Sequence, residues 1–405
     1  IGSIMAAGMM KGLSYPSLSS RTHLLKPSPT LGIAARAKAM SAQGIDVISF
    51  SVGEPDFNTP APICDAAIAA IHAGKTKYTP SAGTPELRQE IAAYLGRRHD
   101  LEVSADRIVV SCGAKHSVYN TLQVLVEPGD EVILLAPYWM TYADQIQLAG
   151  GTPVVVQTLV ENGYNPTEAQ LREAVTPRTK AILVNSPSNP TGGMLDFPTL
   201  NLIGDLAKEH NFWIISDEIY DQLVYEGTHV SVTALGPELM ERAILINGCS
   251  KSYAMTGWRI GYAYAPLAVA KAMSNLQDQV TSNPTSFAQS GAVEAFRMAP
   301  DAVEEMRKEF HARRDLAVRL VGEIPKLTVD VPKGAFYLFV DVSAYLGGRF
   351  PTDVELAEFL LEESFVATVP GSVFMGPGHL RLSYATSREQ IESGLARIKN
   401  SLAKL

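Results

Sequence analysis

Apolar residues in this chain collect into short, almost continuous runs that are separated by helical patterns. The runs are rich in β-branched residues and do not alternate with polar ones, as is typical of strands buried on both faces of a sheet. Regular alternation of such strands with helices indicates an α/β fold, with a mostly parallel sheet flanked by helices. The predicted strands are residues 107–111, 131–136, 152–158, 181–185, 212–216, 243–247 and 260–265. The helical patterns include residues 85–98, 116–126, 139–149 and 198–209.

The pattern changes after Pro300, where a smaller α+β domain is predicted. It contains helical patterns at 302–324, 353–363 and 388–405, an apolar segment at 335–342 and a short strand at 380–384. We expect the segment before about residue 60 to pack with this domain, which would make it discontinuous. The predicted division is a tail or cloning remnant (1–13), an N-terminal segment that joins the small domain (14–58), a large domain (59–300) and a small C-terminal domain (301–405).

Composition and charge exclude several classes of protein. The chain has 405 residues, of which 46% are hydrophobic and 19% charged, and its net charge is −8. The composition is that of a globular protein, and the acidic balance argues against a nucleic-acid partner, which requires a basic face. No run approaches the length of a transmembrane helix, and residues 1–13 lack the pattern of a signal peptide. We therefore expect a cytoplasmic protein with no membrane partner.

Cysteine and histidine spacing indicates neither a disulfide framework nor a metal site. Cys64, Cys112 and Cys249 are widely spaced and odd in number, which fits a reducing compartment. Cys249 is expected to be a packing residue. The eight histidines show no paired spacing, so no metal is expected. A nicotinamide enzyme is not expected either, because no GxGxxG motif follows the first strand.

Five of the predicted strands end in a polar or glycine-rich cluster. Ligands of open α/β sheets bind outside the carboxyl ends of the strands, so we expect these clusters to converge on one crevice. The clusters are Cys112-Gly113-Ala114-Lys115, Pro137-Tyr138-Trp139, residues 185–192, Asp217-Glu218-Ile219-Tyr220 and Gly248-Cys249-Ser250-Lys251.

The cluster that ends at Lys251 carries the most informative chemistry. Lysine forms Schiff bases, and a nearby cation such as Arg259 helps to lower its pKa. Arginine is also the side chain best suited to a phosphate. A Schiff-base amine and a phosphate clamp are what pyridoxal phosphate needs from a protein. Taken alone, the segment fits equally well a surface lysine and arginine that flank a core strand.

The other clusters suit different parts of the same cofactor. Gly113 and the residues after it open a helix whose N-terminus favours a phosphate, although a plain turn has the same pattern. Trp139 or Tyr138 could stack on a ring, although either residue taken alone is more often part of a core. The Asn189 amide could donate to a ring oxygen, although most turns of this composition are only turns. Asp217 interrupts an apolar run where burial is expected, and a protonated pyridine nitrogen would be a partner for its carboxylate. The alternative for Asp217 is a role as a helix N-cap. Tyr220 could donate a hydrogen bond to the ring oxygen.

Together these motifs resemble class I aminotransferases, a family of fold-type I pyridoxal phosphate enzymes, over nearly the whole chain. The Lys251 segment resembles the attachment motif of the family, and its other signatures are Val52-Gly53-Glu54-Pro55-Asp56-Phe57, Tyr78-Thr79-Pro80-Ser81-Ala82-Gly83, Asn189-Pro190-Thr191-Gly192, Ser216-Asp217-Glu218-Ile219-Tyr220 and Arg381-Leu382-Ser383-Tyr384. The resemblance is to the prokaryote-type aspartate aminotransferases, a subgroup that includes prephenate aminotransferases. It implies a large pyridoxal phosphate domain, a smaller discontinuous domain, and a homodimer with shared active sites.

The resemblance also implies a role for each site residue. Lys251 would bind the cofactor and then move a proton, assisted by Asp217 at the pyridine nitrogen and Tyr220 at the ring oxygen. The cofactor would be held by Gly113, Ala114, Lys115, Trp139, Asn189, Asp217, Tyr220, Ser250, Lys251 and Arg259, with Tyr78 reaching the phosphate of the neighbouring subunit. The substrate would be bound by Gly53, Lys115, Trp139, Asn189, Arg381 and Thr30.

Three of these positions bear on how a substrate is bound and chosen. Arg381 would clamp the α-carboxylate in a forked pair. The segment 280–285 has no arginine for a second carboxylate, and the resemblance transfers that role to Lys115. Thr30 matches a threonine linked to prephenate use in the subgroup.

The predicted reaction is transamination between L-aspartate and 2-oxoglutarate, giving oxaloacetate and L-glutamate, with prephenate to arogenate as a further reaction. Three alternatives stay open. They are an aromatic or broad-specificity aminotransferase, a pyridoxal phosphate lyase of the same fold, and a non-catalytic cofactor-binding protein, the last being disfavoured by the presence of Lys251.

Overall fold

The computed structural model describes residues 17–24, 29–298 and 301–405. The predicted tail at 1–13 and the side chain of Thr30 lie outside this part. The α-helices are α1 (Pro29–Ala42), α2 (Ala61–His72), α3 (Pro85–His99), α4 (Ala114–Leu125), α5 (Thr141–Leu148), α6 (Glu168–Ala174), α7 (Phe197–His210), α8 (Leu267–Val280), α9 (Ser286–Arg297), α10 (Asp301–Gly322), α11 (Asp353–Glu363) and α12 (Arg388–Leu402). The strands are β1 (Ile48–Ser49), β2 (Ile108–Cys112), β3 (Glu131–Ala136), β4 (Thr152–Gln157), β5 (Thr179–Asn185), β6 (Trp213–Asp217), β7 (Ala243–Gly248), β8 (Ile260–Tyr264), β9 (Thr328–Val329), β10 (Tyr337–Asp341), β11 (Val366–Ala367), β12 (Val369–Pro370) and β13 (His379–Ser383).

Seven strands form one large sheet in the order β2-β8-β7-β6-β5-β3-β4. Neighbours pair in parallel except at β8, which is antiparallel to both β2 and β7. Strands β6, β7 and β8 are buried along almost their entire length, as their continuous apolar runs predict. The predicted mostly parallel α/β sheet is therefore confirmed.

Helix α3 shows how local sequence sets an element of this layer. The Thr84 side chain accepts a hydrogen bond from the Leu87 backbone N–H at the start of the helix, a cap worth about 1 kcal/mol. Leu87, Ile91 and Leu95 recur every four residues and are buried, so they place one face of α3 in the core. The helix ends at Asp100, whose left-handed backbone (φ 50°) stops its continuation.

A smaller antiparallel sheet has the order β12-β13-β10-β9, and β1 pairs in parallel with β11. The N-terminal segment also reaches this sheet, because the Ser383 N–H donates to the Phe50 carbonyl oxygen at 2.8 Å. These contacts support the proposed discontinuous small domain. Sequence periodicity does not isolate β1, β9, β11 or β12, because two residues are too few to show a pattern.

The topology gathers one set of chain segments at one edge of the large sheet. Strands β2, β3, β5, β6 and β7 all end there because they are parallel. Strand β8 runs in the opposite direction, so it begins at this edge, and Arg259 stands immediately before it. In the described part of the chain, no helix is long and apolar enough to cross a membrane.

Candidate active site

A cavity of about 590 Å³ lies at this edge of the large sheet, between it and the small antiparallel sheet. Residues from β6, from the turn after β7 and from β13 line its wall together with the N-terminal segment. Most of the predicted site residues are brought together here, namely Gly53, Ala114, Lys115, Trp139, Asn189, Asp217, Tyr220, Ser250, Lys251, Arg259 and Arg381. Gly113 borders the site through its contact with Arg259.

Lys251 lies in the turn after β7 and extends its amine into the cavity. Its Nζ donates a hydrogen bond to the Gly53 carbonyl oxygen at 2.5 Å. The rings of Tyr220 and Phe336 lie 5.8 and 5.6 Å from Nζ. Burial lowers the pKa of Lys251 to about 8, which increases the fraction of neutral amine at physiological pH. This is the condition that an attacking or proton-carrying lysine requires.

Asp217 is the last residue of β6 and is almost fully buried. Its carboxylate accepts hydrogen bonds from the Tyr142 hydroxyl (2.7 Å) and the Ile219 backbone N–H (3.2 Å). Burial raises the pKa of Asp217 to about 6, although the charge of Lys251 opposes this shift. No cation among the described residues forms a salt bridge with Asp217. No helix in the described chain begins at Asp217, so the N-cap alternative is wrong. A buried carboxylate that lacks a cationic partner among the described residues fits a cationic ring nitrogen.

The N-terminus of α4 and Arg259 form a cradle that fits an anion. Arg259 donates to the Thr256 carbonyl oxygen (3.0 Å) and the Cys112 carbonyl oxygen (3.2 Å). A Cβ at Gly113 would lie 2.4 Å from the Arg259 guanidinium, and a Cβ at Gly261 would lie 2.1 Å from the α4 backbone. Both positions therefore require glycine. Free N–H groups at a helix start and a guanidinium are suited to a phosphate.

Arg381 on β13 is a buried cation that is held from three directions. It donates to the Asn189 side-chain oxygen and to the Ser51 carbonyl oxygen, each at 2.9 Å. Its guanidinium stacks on the ring of Tyr337 at 4.5 Å. Its Nε has no hydrogen-bond partner among the described residues. Within the described part of the chain, no carboxylate pairs with this buried guanidinium. It therefore fits a substrate carboxylate, because an arginine forms forked pairs with that group.

Lys115 stands at the mouth of the cavity, in the first turn of α4. Its Nζ lies 4.7 Å from the centre of the Trp139 ring. Burial lowers the pKa of Lys115, and the charge of Arg259 lowers it further. The cavity is therefore lined by a second cation besides Arg381, and this cation suits a second anionic group of a ligand.

Two of the residues discussed above, Tyr78 and Cys249, do not line the cavity. Tyr78 is 91% exposed and does not line it. The Thr30 side chain is outside the described residues, as stated above. Cys249 is fully buried in the apolar core, as its packing role predicts.

The sequence analysis assigned no individual role to several residues that line the cavity. They are Ala34, Ser51, Val52, Glu54, Tyr142, Asn185, Ile219, Thr256 and Tyr337. Tyr142 and Tyr337 are in ordinary helical and strand patterns, where a tyrosine is usually a core residue. Only their contacts with Asp217 and Tyr220 distinguish them.

Comparison with known proteins assigns the family. Residues 45–398 match the family described as aminotransferase class I and II. The aspartate aminotransferase of Geobacillus stearothermophilus is 47% identical over 384 residues, which cover 94% of this chain and 98% of the relative. The aspartate/prephenate aminotransferase of Thermus thermophilus is 43% identical over 390 residues, covering 96% and 99%.

Solved structures agree with this result. The aspartate aminotransferase from Thermus thermophilus with maleate has a TM-score of 0.91 at 42% identity and covers 96% of this chain and 100% of that one. The aspartate aminotransferase from Rhizobium meliloti has a TM-score of 0.93 at 39% identity, with the same coverage. The chain therefore belongs to the class I and II aminotransferases, with the fold-type I architecture of its structural neighbours.

Proposed function

We propose that this aminotransferase uses pyridoxal phosphate to transfer the amino group of L-aspartate to 2-oxoglutarate, giving oxaloacetate and L-glutamate. One observation carries the proposal. A lysine with a lowered pKa, a buried carboxylate and a buried arginine without a facing carboxylate all line the same cavity.

The residues of the cavity fit the cofactor. Lys251 would hold its aldehyde carbon, Asp217 its pyridine nitrogen, and Tyr220 and Asn189 its ring oxygen. The phosphate would lie among Gly113, Ala114, Ser250 and Arg259, and Trp139 would stack on the ring. The bound cofactor supplies an electron sink for the charge that develops at the substrate Cα.

The protein side chains supply binding and proton transfer. Asp217 is buried, so its negative charge would be balanced by the ring cation instead of by water. Lys251, whose pKa is lowered by burial, would carry the proton between the substrate Cα and the cofactor carbon. Arg381 would fix the α-carboxylate, together with Asn189 and the Gly53 backbone, and so orient the Cα–H bond.

The second cation indicates a dicarboxylic substrate. Lys115 at the cavity mouth would bind the distal carboxylate of aspartate. Prephenate also carries two carboxylates, so its conversion to arogenate is proposed as a further reaction. The names of two relatives support both substrates. The relative from Geobacillus stearothermophilus is an aspartate aminotransferase, and the relative from Thermus thermophilus is an aspartate/prephenate aminotransferase. The solved Thermus thermophilus enzyme contains maleate, which is a dicarboxylate.

The proposed active unit is a homodimer located in the cytoplasm. The almost complete exposure of Tyr78 supports a role outside its own cavity, where its hydroxyl would reach the phosphate held by the neighbouring subunit. Thr30 is proposed to contribute to prephenate recognition. The boundaries of the two domains are proposed to lie at about residues 58 and 300.

Two measurements test the function. The purified protein should absorb visible light in a band that borohydride bleaches, and Lys251→Ala should abolish both the band and turnover. The second measurement is a matrix of amino donors and keto acids that includes prephenate and aromatic acids. We expect the highest kcat/KM for aspartate with 2-oxoglutarate. Release of pyruvate or ammonia without glutamate would instead identify a lyase.

A further inference from the structure

Tyr220 and Tyr337 form a pair of hydroxyl groups at the floor of the cavity. Their Oη atoms lie 2.9 Å apart, and the two rings are nearly perpendicular at 83°. Both side chains line the cavity, and both are almost fully buried. Tyr220 follows β6 of the large sheet, whereas Tyr337 begins β10 of the small sheet. The pair therefore joins the two halves of the site.

The number of protons in this pair restricts what it can do. Each hydroxyl has one proton, and one hydrogen bond between the two oxygens uses only one of them. Among the described residues, neither hydroxyl has another hydrogen-bond partner. The proton that is not shared is therefore available to a group that enters the cavity.

The surroundings of Tyr337 favour it as the donor within the pair. Burial raises the pKa of both tyrosines, and for Tyr337 the charge of Arg381 is the principal opposing influence. The Arg381 guanidinium lies 4.5 Å from the Tyr337 ring centre, and the pKa of Tyr220 is raised well above its ordinary value. The geometry allows either hydroxyl to donate, and the more acidic hydroxyl is the better donor, which favours Tyr337.

Packing keeps the Tyr337 hydroxyl in this position. A Cβ at Gly53 would lie only 2.9 Å from the Tyr337 oxygen, so the hydroxyl rests directly against the loop that also contacts Lys251. The Tyr220 ring also packs edge to face against the ring of Phe336, with ring centres 5.4 Å apart.

We propose that Tyr337 is a positioning residue, whose hydroxyl donates to Tyr220 and thereby directs the proton of Tyr220 toward the ring oxygen of the cofactor. This inference rests on the proposed function. A donor at the ring oxygen stabilises its anionic form, and so lowers the pH at which the visible absorption of the bound cofactor changes. Tyr337 thus acts on the cofactor through Tyr220, and its ring separately supports Arg381.

Four variants of the cofactor-loaded enzyme test the proposal. Tyr337→Phe removes the hydroxyl but keeps the ring beneath Arg381, and Tyr220→Phe removes the direct donor. The third variant combines both changes. Tyr384→Phe is the matched control, because Tyr384 is equally buried and donates to a backbone carbonyl away from the cavity. For each variant, the visible absorption is titrated with pH, and kcat and KM are measured.

We expect Tyr220→Phe to raise the midpoint of the titration by about one to two pH units, as loss of a hydrogen bond to a charged group predicts. Tyr337→Phe should raise it by roughly half as much or less, with lower kcat and a KM for aspartate within about twofold, because the Arg381 stack is intact. The double variant should match Tyr220→Phe, since Tyr337 acts only through Tyr220. Tyr384→Phe should titrate as the unchanged enzyme does.

An unchanged midpoint in Tyr337→Phe would overturn the proposal, as would additive shifts in the double variant or an equal shift in Tyr384→Phe. These failures differ from a failure of the proposed function, in which the unchanged enzyme itself would show no visible band.

Discussion

Replacement of Asp217 by asparagine should stabilise the cofactor-free protein while it impairs the enzyme. In the structure, burial raises the pKa of the Asp217 carboxyl from 3.8 to about 6. The folded state therefore holds this proton more tightly than the unfolded chain does. Stability must then fall as the pH rises from about 4 to about 6, and the penalty is complete above that range.

The size of the penalty follows from the two pKa values. At 1.36 kcal/mol for each pH unit, a rise from 3.8 to about 6 corresponds to about 3 kcal/mol. Asparagine cannot ionise, so it avoids this cost. It also has only one oxygen to receive the Tyr142 hydroxyl and the Ile219 N–H, which both donate to Asp217. That loss is independent of pH and can be separated from the charge effect.

Urea unfolding of the cofactor-free protein between pH 4 and pH 8, at constant ionic strength, measures the effect. The free energy of unfolding of Asp217→Asn, relative to the unchanged protein, should rise by about 2.5 kcal/mol between pH 4 and pH 7, because a small part of the penalty is already present at pH 4. Glu218→Gln is a control of opposite sign, because the adjacent His229 helps to hold the pKa of Glu218 below its ordinary value despite burial. A difference for Asp217→Asn that does not vary with pH would refute the reasoning.

Three further changes test other parts of the site. Lys115→Ala should lower kcat/KM for aspartate about 30-fold, which is the low end for a buried charge pair because Lys115 is only partly buried. The same change should lower kcat/KM for an apolar amino acid only a fewfold, and equal losses would contradict a distal-carboxylate role. His229→Gln breaks a buried pair with Glu218 (2.9 Å) and should cost about 3–5 kcal/mol. The pKa of His229 is raised and that of Glu218 is lowered, so this cost should be largest between about pH 4.5 and pH 6.5. It should become smaller at higher pH as His229 loses its proton. Thermal unfolding at several pH values measures this dependence. Gly261→Ala should weaken cofactor binding about tenfold or more in a cofactor titration, because the added Cβ would collide with the start of α4. Gly257→Ala is the control, because its added Cβ would lie in open space, and this variant should bind the cofactor normally.

Much of the site could be predicted because its residues interrupt strong local patterns. Asp217 follows an apolar run that must be buried, and a carboxylate in such a place needs a specific partner. Lys251 follows a similar run and a small-residue turn. Tyr142 and Tyr337 could not be found in this way, since an apolar helix face or strand tolerates a tyrosine without any function. Their importance comes from hydrogen bonds to Asp217 and Tyr220, which no local pattern encodes.

The sequence by itself determined the buried strands, the helices between them and the polar residues at the strand ends, because burial and helix periodicity depend on neighbouring residues. Only the tertiary structure decided that β8 is reversed, which brings Arg259 to the same edge as Lys251. It also decided that the loop from Ser51 to Gly53 contacts Arg381 and Lys251, although 330 and 198 positions separate the paired residues. Contacts across such distances arise from the packing of whole sheets, so they are a property of the assembled chain and not of any segment.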